Sequence, residues 1–135
     1  SLEVPYTNAR QTVDTLARYY RLGIIANQSP RLTARLRSQH MAQYFHIVLG
    51  SGDVGLSKPD PEIFQYALML SGCLKGQAVM IGDSTGNDIV PAKALGMKTI
   101  RIRQGFTSAI DPASKAERPD ANIEAIADLV HLLGR

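Results

Sequence analysis

The sequence has few of the features that mark secreted or membrane-bound proteins. Its single cysteine, Cys73, cannot form an internal disulfide, which is typical of a protein in a reducing compartment. No apolar run approaches the roughly 20 residues that span a bilayer. No signal peptide is recognisable at the start of the sequence. We therefore expect a cytoplasmic protein with no membrane partner.

The sequence also lacks the patterns of a nucleic-acid-binding protein, although its formal charge is +3. The basic residues are scattered and have no aromatic residues interleaved among them; Arg101, for example, falls on a predicted strand and Arg103 just beyond it. No helix-turn-helix or zinc-finger spacing occurs. The charge therefore predicts a solvated basic surface and no nucleic-acid partner.

Short apolar runs alternate with helical patterns along the 135 residues, which suffice for one domain. The runs predict strands at residues 22–26, 47–49, 78–81 and 98–102. Helices are predicted at residues 8–20, 61–70, 87–95 and 123–133, with a further one capped by Ser29, and a polar loop at 105–119. This order predicts an α/β fold, a Rossmann-like open parallel sheet with helices on both faces. Ligands of such sheets bind beyond the carboxyl ends of the strands.

The stretch from Gly50 to Gly55 matches G-x-G-x-x-G, the pattern of a dinucleotide-binding loop. That loop needs a helix at its end, but the prolines that follow prevent a helix from beginning before Asp60. The glycines are therefore predicted to let the chain turn sharply. Lys58 follows in the same segment, and two interpretations stay open for it. Either it contacts a phosphate or clustered carboxylates at the edge of the sheet, or it is a solvated surface lysine.

Two aspartates follow the third predicted strand, within VMIGDSTGND. Asp83 comes directly after the strand, and Asp88 lies at the start of the next predicted helix. Two carboxylates separated by small residues suit Mg²⁺, which prefers oxygen ligands. Alternatively, Asp88 caps the helix and Asp83 belongs to a turn. The spacing alone favours neither interpretation.

Taken together, these motifs resemble those of the haloacid dehalogenase superfamily, and within it the Mg²⁺-dependent phosphatases. LGIIANQS is similar to the second of the four family motifs, SKPDPEIF to the third, and IGDSTGNDIVPAKALGM to the fourth. The resemblance implies that Asp83 ligates Mg²⁺, with Asp88 and Lys58 as catalytic residues and Lys58 also on the substrate phosphate. It further implies hydrolysis of a small phosphorylated metabolite through an aspartyl phosphate. Dehalogenase members lack the GDxxxxD arrangement.

The chain departs from the family pattern at the second motif. Ala26 stands where the family has a Ser or Thr whose hydroxyl binds phosphate. Main-chain N–H groups at Ala26 and the amide of Asn27 are expected to bind the phosphate instead.

The first family motif, D-x-D, is absent, because no two aspartates of this chain are separated by a single residue. That motif supplies the nucleophile and the general acid/base. The resemblance therefore implies that residues 1–135 are a partial core domain, without the first-motif strand and the cap domain. An upstream segment of the same protein or another chain, including a second copy, would complete the sheet. The alternative is a non-catalytic module that keeps this fold for binding or assembly.

Overall fold

The computed structural model describes residues 7–27, 32–103 and 115–133. The helices are α1 (Thr7–Ala17), α2 (Leu32–Ser38), α3 (Ser51–Val54), α4 (Pro61–Ser71), α5 (Val90–Ala94) and α6 (Asp128–Leu132). The strands are β1 (Leu22–Ala26), β2 (Phe45–Gly50), β3 (Val79–Gly82), β4 (Lys98–Ile102) and β5 (Ala121–Ile123). Single-turn 3-10 helices lie at Ala42–Tyr44, Lys75–Gln77 and Lys115–Glu117, and a π-helical turn at Thr85–Ile89 precedes α5.

All the strand pairs are parallel, as the alternation of strands and helices predicts. β1 pairs with β2, and β4 pairs with both β3 and β5. Within the described ranges no hydrogen-bonded ladder joins β1 to β3, so the strands form one two-stranded and one three-stranded sheet. The predicted α/β fold with a parallel arrangement is confirmed.

Helices on both faces connect the two sheets. On one face, α1 contributes Val13 to the core cluster that contains residues of β1, and Leu16 to the cluster that contains residues of β4. On the other face, Phe64 of α4 is fully buried in a cluster that includes Ile25 of β1 and Met80 of β3. Each such buried side chain contributes roughly 1.5–3 kcal/mol by leaving water. The helix layers therefore hold the two sheets side by side.

A cavity of about 570 Å³ is lined by residues of both β1 and β3. Ile24 and Ile25 line it from β1, Met80 and Ile81 from β3, and Phe64 from α4. Of the five β1 residues only the last, at the carboxyl end, is buried. Most of this wholly apolar strand is therefore not buried. The physical reason is that, among the described residues, β1 has a neighbouring strand on one side only.

The carboxyl-terminal part differs from the prediction of a helix over residues 123–133. Ile123 instead ends β5, where it is buried and in register with Ile102. The Asp128 carboxylate accepts the N–H groups of Glu124 and Ala125 at 3.2 and 3.1 Å, which fixes the turn before α6. The helix therefore begins five residues later than predicted. The predicted loop at 105–119 and the Ser29 cap lie largely or wholly outside the described residues.

The amino-terminal helix ends at Ala17, earlier than predicted. Tyr20, the last residue of the predicted helix, lies beyond α1 with 37% of its surface exposed, and its hydroxyl donates to the carbonyl of Leu133 at 3.1 Å. No helix in the described ranges is long and apolar enough to cross a membrane.

Candidate active site

The segment that carries Lys58 begins with the glycine-rich stretch. After β2 the chain makes one helical turn, α3, which ends at Gly55 in the left-handed conformation with φ of 72°. A side chain is strained at such an angle, so glycine suits the position. The next helix, α4, begins after Asp60, whose carboxylate accepts the N–H of Glu62 at 3.0 Å. The predicted turn at the glycines is confirmed, and no helix begins between Gly55 and Asp60, but the short helix α3 inside the glycine stretch was not predicted.

The segment that carries the two aspartates follows β3. Asp83 comes directly after the strand and is half-buried. Ser84 is the N-cap of the π-helical turn, and its Oγ accepts the N–H of Asn87 at 3.1 Å. Asp88 lies inside that turn and is fully buried. The interpretation of Asp88 as a helix cap is therefore wrong, because Ser84 occupies that position.

Gly82, the last residue of β3, permits the close approach of Asp88. A Cβ built on Gly82 would overlap the Cβ and carboxylate atoms of Asp88. Only a residue without a side chain leaves room for the Asp88 carboxylate against the strand.

Lys58 and Asp88 form a buried ion pair at the carboxyl ends of the strands. The Nζ of Lys58 lies 2.5 Å from Oδ1 of Asp88, and the two side chains are 4% and 0% exposed. The second oxygen of Asp88, Oδ2, accepts the N–H of Ser84 at 3.2 Å. The interpretation of Lys58 as a solvated surface lysine is therefore wrong. A charge-assisted pair of this kind holds the ammonium in one place.

Asn27, the first residue after β1, contacts the main chain of Lys58. Its Oδ1 accepts the Lys58 N–H at 2.8 Å, and its Nδ2 donates to the Lys58 carbonyl at 2.9 Å. Ala26, before it, is 1% exposed. The structure thus brings Asn27, Lys58 and Asp88 together, and Asp83 directly follows β3, the strand that precedes Asp88.

The donors at this edge suit Mg²⁺ better than zinc. Mg²⁺ is commonly held by one or two carboxylates together with waters and substrate oxygens, and Asp83 supplies one carboxylate. Structural zinc needs about four nitrogen or sulfur ligands. In the parts of the chain that the structure describes, no group of three or more His, Cys, Asp or Glu residues is close enough to hold a metal.

Sequence reasoning missed the placement of Arg101. It lies on β4 in register with Gly82 and is 1% exposed, so the expectation of a solvated basic residue is wrong for it. Ile100 and Ile102 pack on the face of the sheet that α6 covers, and the alternation of side chains places Arg101 on the opposite face. On that opposite face Asp88 approaches Gly82, the residue in register with Arg101. The sequence signal that could have indicated its burial is the position of this arginine between two isoleucines in a predicted strand.

Comparison with known proteins assigns the chain to a family. Residues 2–102 match the family of haloacid dehalogenase-like hydrolases, and the chain belongs to it. It is 30% identical over 135 residues to the pyrophosphatase PpaX of Bacillus velezensis, covering 98% of this chain and 61% of that protein.

Solved structures agree with this assignment. A haloacid dehalogenase-type phosphatase from Thermococcus onnurineus superposes with a TM-score of 0.82 and 31% identity, covering 96% of this chain and 58% of that one. A 2-haloacid dehalogenase from Pseudomonas syringae gives a TM-score of 0.82 and 29% identity, over 96% and 53% of the two chains. The chain spans about half the length of the curated relatives it matches, for example 39% of one and 61% of another.

Proposed function

We propose that the complete protein is a phosphatase that hydrolyses the phosphoric monoester of a small metabolite. The observation that carries the proposal is the buried Lys58–Asp88 pair at the carboxyl ends of the strands, with Asp83 at the end of β3. A lysine held in a water-excluded position stabilises negative charge far better than one in solvent. Relatives that are named for monoester substrates, a glyceraldehyde 3-phosphate phosphatase and a phosphoglycolate phosphatase, support this class of chemistry.

In the proposed reaction an aspartate outside residues 1–135 attacks the phosphorus. A bond forms between its carboxylate oxygen and phosphorus, the bond from phosphorus to the alcohol oxygen breaks, and the alcohol leaves with a proton from a general acid. Water then attacks phosphorus and gives a proton to the same group, which now acts as a base. The bond between phosphorus and the aspartate oxygen breaks, which releases inorganic phosphate and restores the carboxylate. Both steps place negative charge on the phosphoryl oxygens.

Several residues of this chain have roles in that reaction. The Lys58 ammonium pairs with a phosphoryl oxygen, while Asp88 keeps it oriented and balances its charge. Asp83 holds Mg²⁺, which neutralises charge on the phosphate when bound. The main-chain N–H groups around Ala26 bind the phosphate, in place of the usual hydroxyl.

The nucleophile, in this proposal, comes with a strand that lies between β1 and β3. Two features support it: no ladder joins those strands in the described ranges, and apolar residues of both line the cavity. A parallel strand there would pair with both edges, and its carboxyl end would lie beside Asn27 and Asp83. We assign this strand to a segment of the same protein, since the chain spans only about half of its relatives.

Steady-state hydrolysis of an aryl phosphate by the complete protein tests the proposal. Turnover should require Mg²⁺, and Asp83→Asn should lower it by about 100-fold or more, because the metal loses a charged ligand. Asp14→Asn is the matched control, since the pair that Asp14 forms with Arg18 is exposed, and it should leave the rate unchanged. Unchanged Mg²⁺ dependence in Asp83→Asn contradicts the assignment. No turnover, with no D-x-D in the complete sequence, favours the non-catalytic module.

A further inference from the structure

Both main-chain polar groups of Lys58 are bound by one side chain. The Lys58 N–H donates to Oδ1 of Asn27 at 2.8 Å, and the Lys58 carbonyl accepts from Nδ2 of Asn27 at 2.9 Å. A primary amide carries a donor and an acceptor in one plane, so it pairs with a peptide group much as a neighbouring strand does. The two hydrogen bonds tie the Lys58 main chain to the end of β1.

Lys58 needs such a partner because of where it lies. It falls between the end of α3 at Val54 and the start of α4 at Pro61, in a segment without helix or strand. Buried main-chain groups need hydrogen-bond partners, and there is no ladder here to supply them. Lys58 is only 6% exposed, so the amide of Asn27 supplies the hydrogen bonds that water or a neighbouring strand would otherwise make.

The ammonium of Lys58 is therefore fixed from two sides. Asn27 holds its main chain at the end of β1, and Asp88 holds its Nζ from the turn after β3. A lysine side chain has four rotatable bonds, and one fixed point would leave the ammonium free to move. Misplacement of a catalytic group by about 1 Å can lower a rate by about 100-fold.

We infer that Asn27 is a positioning residue, which acts on catalysis by holding the Lys58 main chain. The inference rests on the proposed function for its effect on rate. This positioning role can be distinguished from the expected contact of Asn27 with the phosphate. A residue that acts through Lys58 has no effect on the rate once the Lys58 ammonium is removed.

A double-mutant cycle in the complete protein separates these two roles. With an aryl phosphate, Asn27→Ala should lower kcat about tenfold or more and leave KM within about twofold. In a Lys58→Met background the same change should alter kcat by less than about twofold. Equal losses in both backgrounds, or a change confined to KM, overturn the inference in favour of direct phosphate binding. Asn122→Ala, at an exposed asparagine of β5, is the matched control and should behave as the parent.

Amide hydrogen exchange at Lys58 provides a readout that does not depend on activity. Asn27→Ala removes the acceptor of the Lys58 N–H, so exchange at this amide should become at least about tenfold faster, and Asn122→Ala should leave it unchanged. Should the complete protein lack phosphatase activity, faster exchange still supports the structural clamp and only the proposed function fails. Unchanged exchange at Lys58 overturns the inference.

A second variant covers the case in which Asn27→Ala does not fold. Asn27→Asp has nearly the same shape and keeps the acceptor for the Lys58 N–H, but it loses the donor to the Lys58 carbonyl. We expect protection of the Lys58 amide to persist while kcat falls at least about threefold, again only in the presence of Lys58. A kcat equal to that of the parent contradicts the inference.

Discussion

The Nζ of Lys58 lies 2.5 Å from Oδ1 of Asp88, although the two residues follow strands of different sheets. Lys58 comes after β2 and is tied to the end of β1 through Asn27, whereas Asp88 lies in the turn after β3. The ion pair therefore links the two sheets at the same edge where the proposed chemistry takes place. If the proposed reaction takes place, stability and catalysis depend on the same contact.

Asp88→Asn tests the contribution of this pair to stability. The change leaves the Lys58 ammonium buried without a charged partner, which typically costs about 3–5 kcal/mol. Urea denaturation of the complete protein should show a loss of that size in the free energy of unfolding. Asp14→Asn breaks the exposed Arg18–Asp14 pair and should cost at most about 1 kcal/mol. Equal losses for the two variants would contradict the burial argument.

Gly82→Ala tests the close approach of Asp88 to β3. The added Cβ would overlap the Asp88 carboxylate, so the π-helical turn has to move away from the strand. We expect a loss of about 1–3 kcal/mol in the free energy of unfolding, together with reduced turnover. Gly76→Ala is the control, because a Cβ at Gly76 meets no atom within 4 Å. A Gly82 variant as stable and active as the Gly76 variant would show that the approach is unimportant.

Local sequence patterns correctly predicted the helices and strands that are determined by the residues within them. β4 has the predicted limits, and α4 begins at the predicted residue, Pro61. β5 was missed because it has only three residues and forms through pairing of Ile123 with Ile102, a contact that no local pattern encodes. The clamp of Asn27 on Lys58 joins residues 31 positions apart, and it depends on the pairing of β1 with β2. The motif resemblance located Lys58, Asp83 and Asp88, whereas their contacts came from the tertiary structure.

Expression of residues 1–135 alone tests the proposed completion of the sheet. The edges of β1 and β3 that line the cavity would keep main-chain groups without strand partners, and such edges recruit other strands. We expect this polypeptide to be inactive and to associate or unfold, as measured by size-exclusion chromatography with intact-mass determination. A monodisperse 14.7 kDa monomer with a cooperative melt and Mg²⁺-dependent phosphatase activity would contradict the proposal.

The most direct test of the central claim is to locate the phosphoryl group on the protein during turnover. The complete protein is mixed with an aryl phosphate and Mg²⁺, quenched in acid within the first turnovers, and mapped by peptide mass spectrometry. We expect one phosphoryl group on an aspartate outside residues 1–135, and none on Asp83 or Asp88. Its amount should fall in Lys58→Met, because the ammonium stabilises the charge that develops as it forms. A phosphoryl group on an aspartate of residues 1–135, or rapid turnover with none on the protein, would contradict the account.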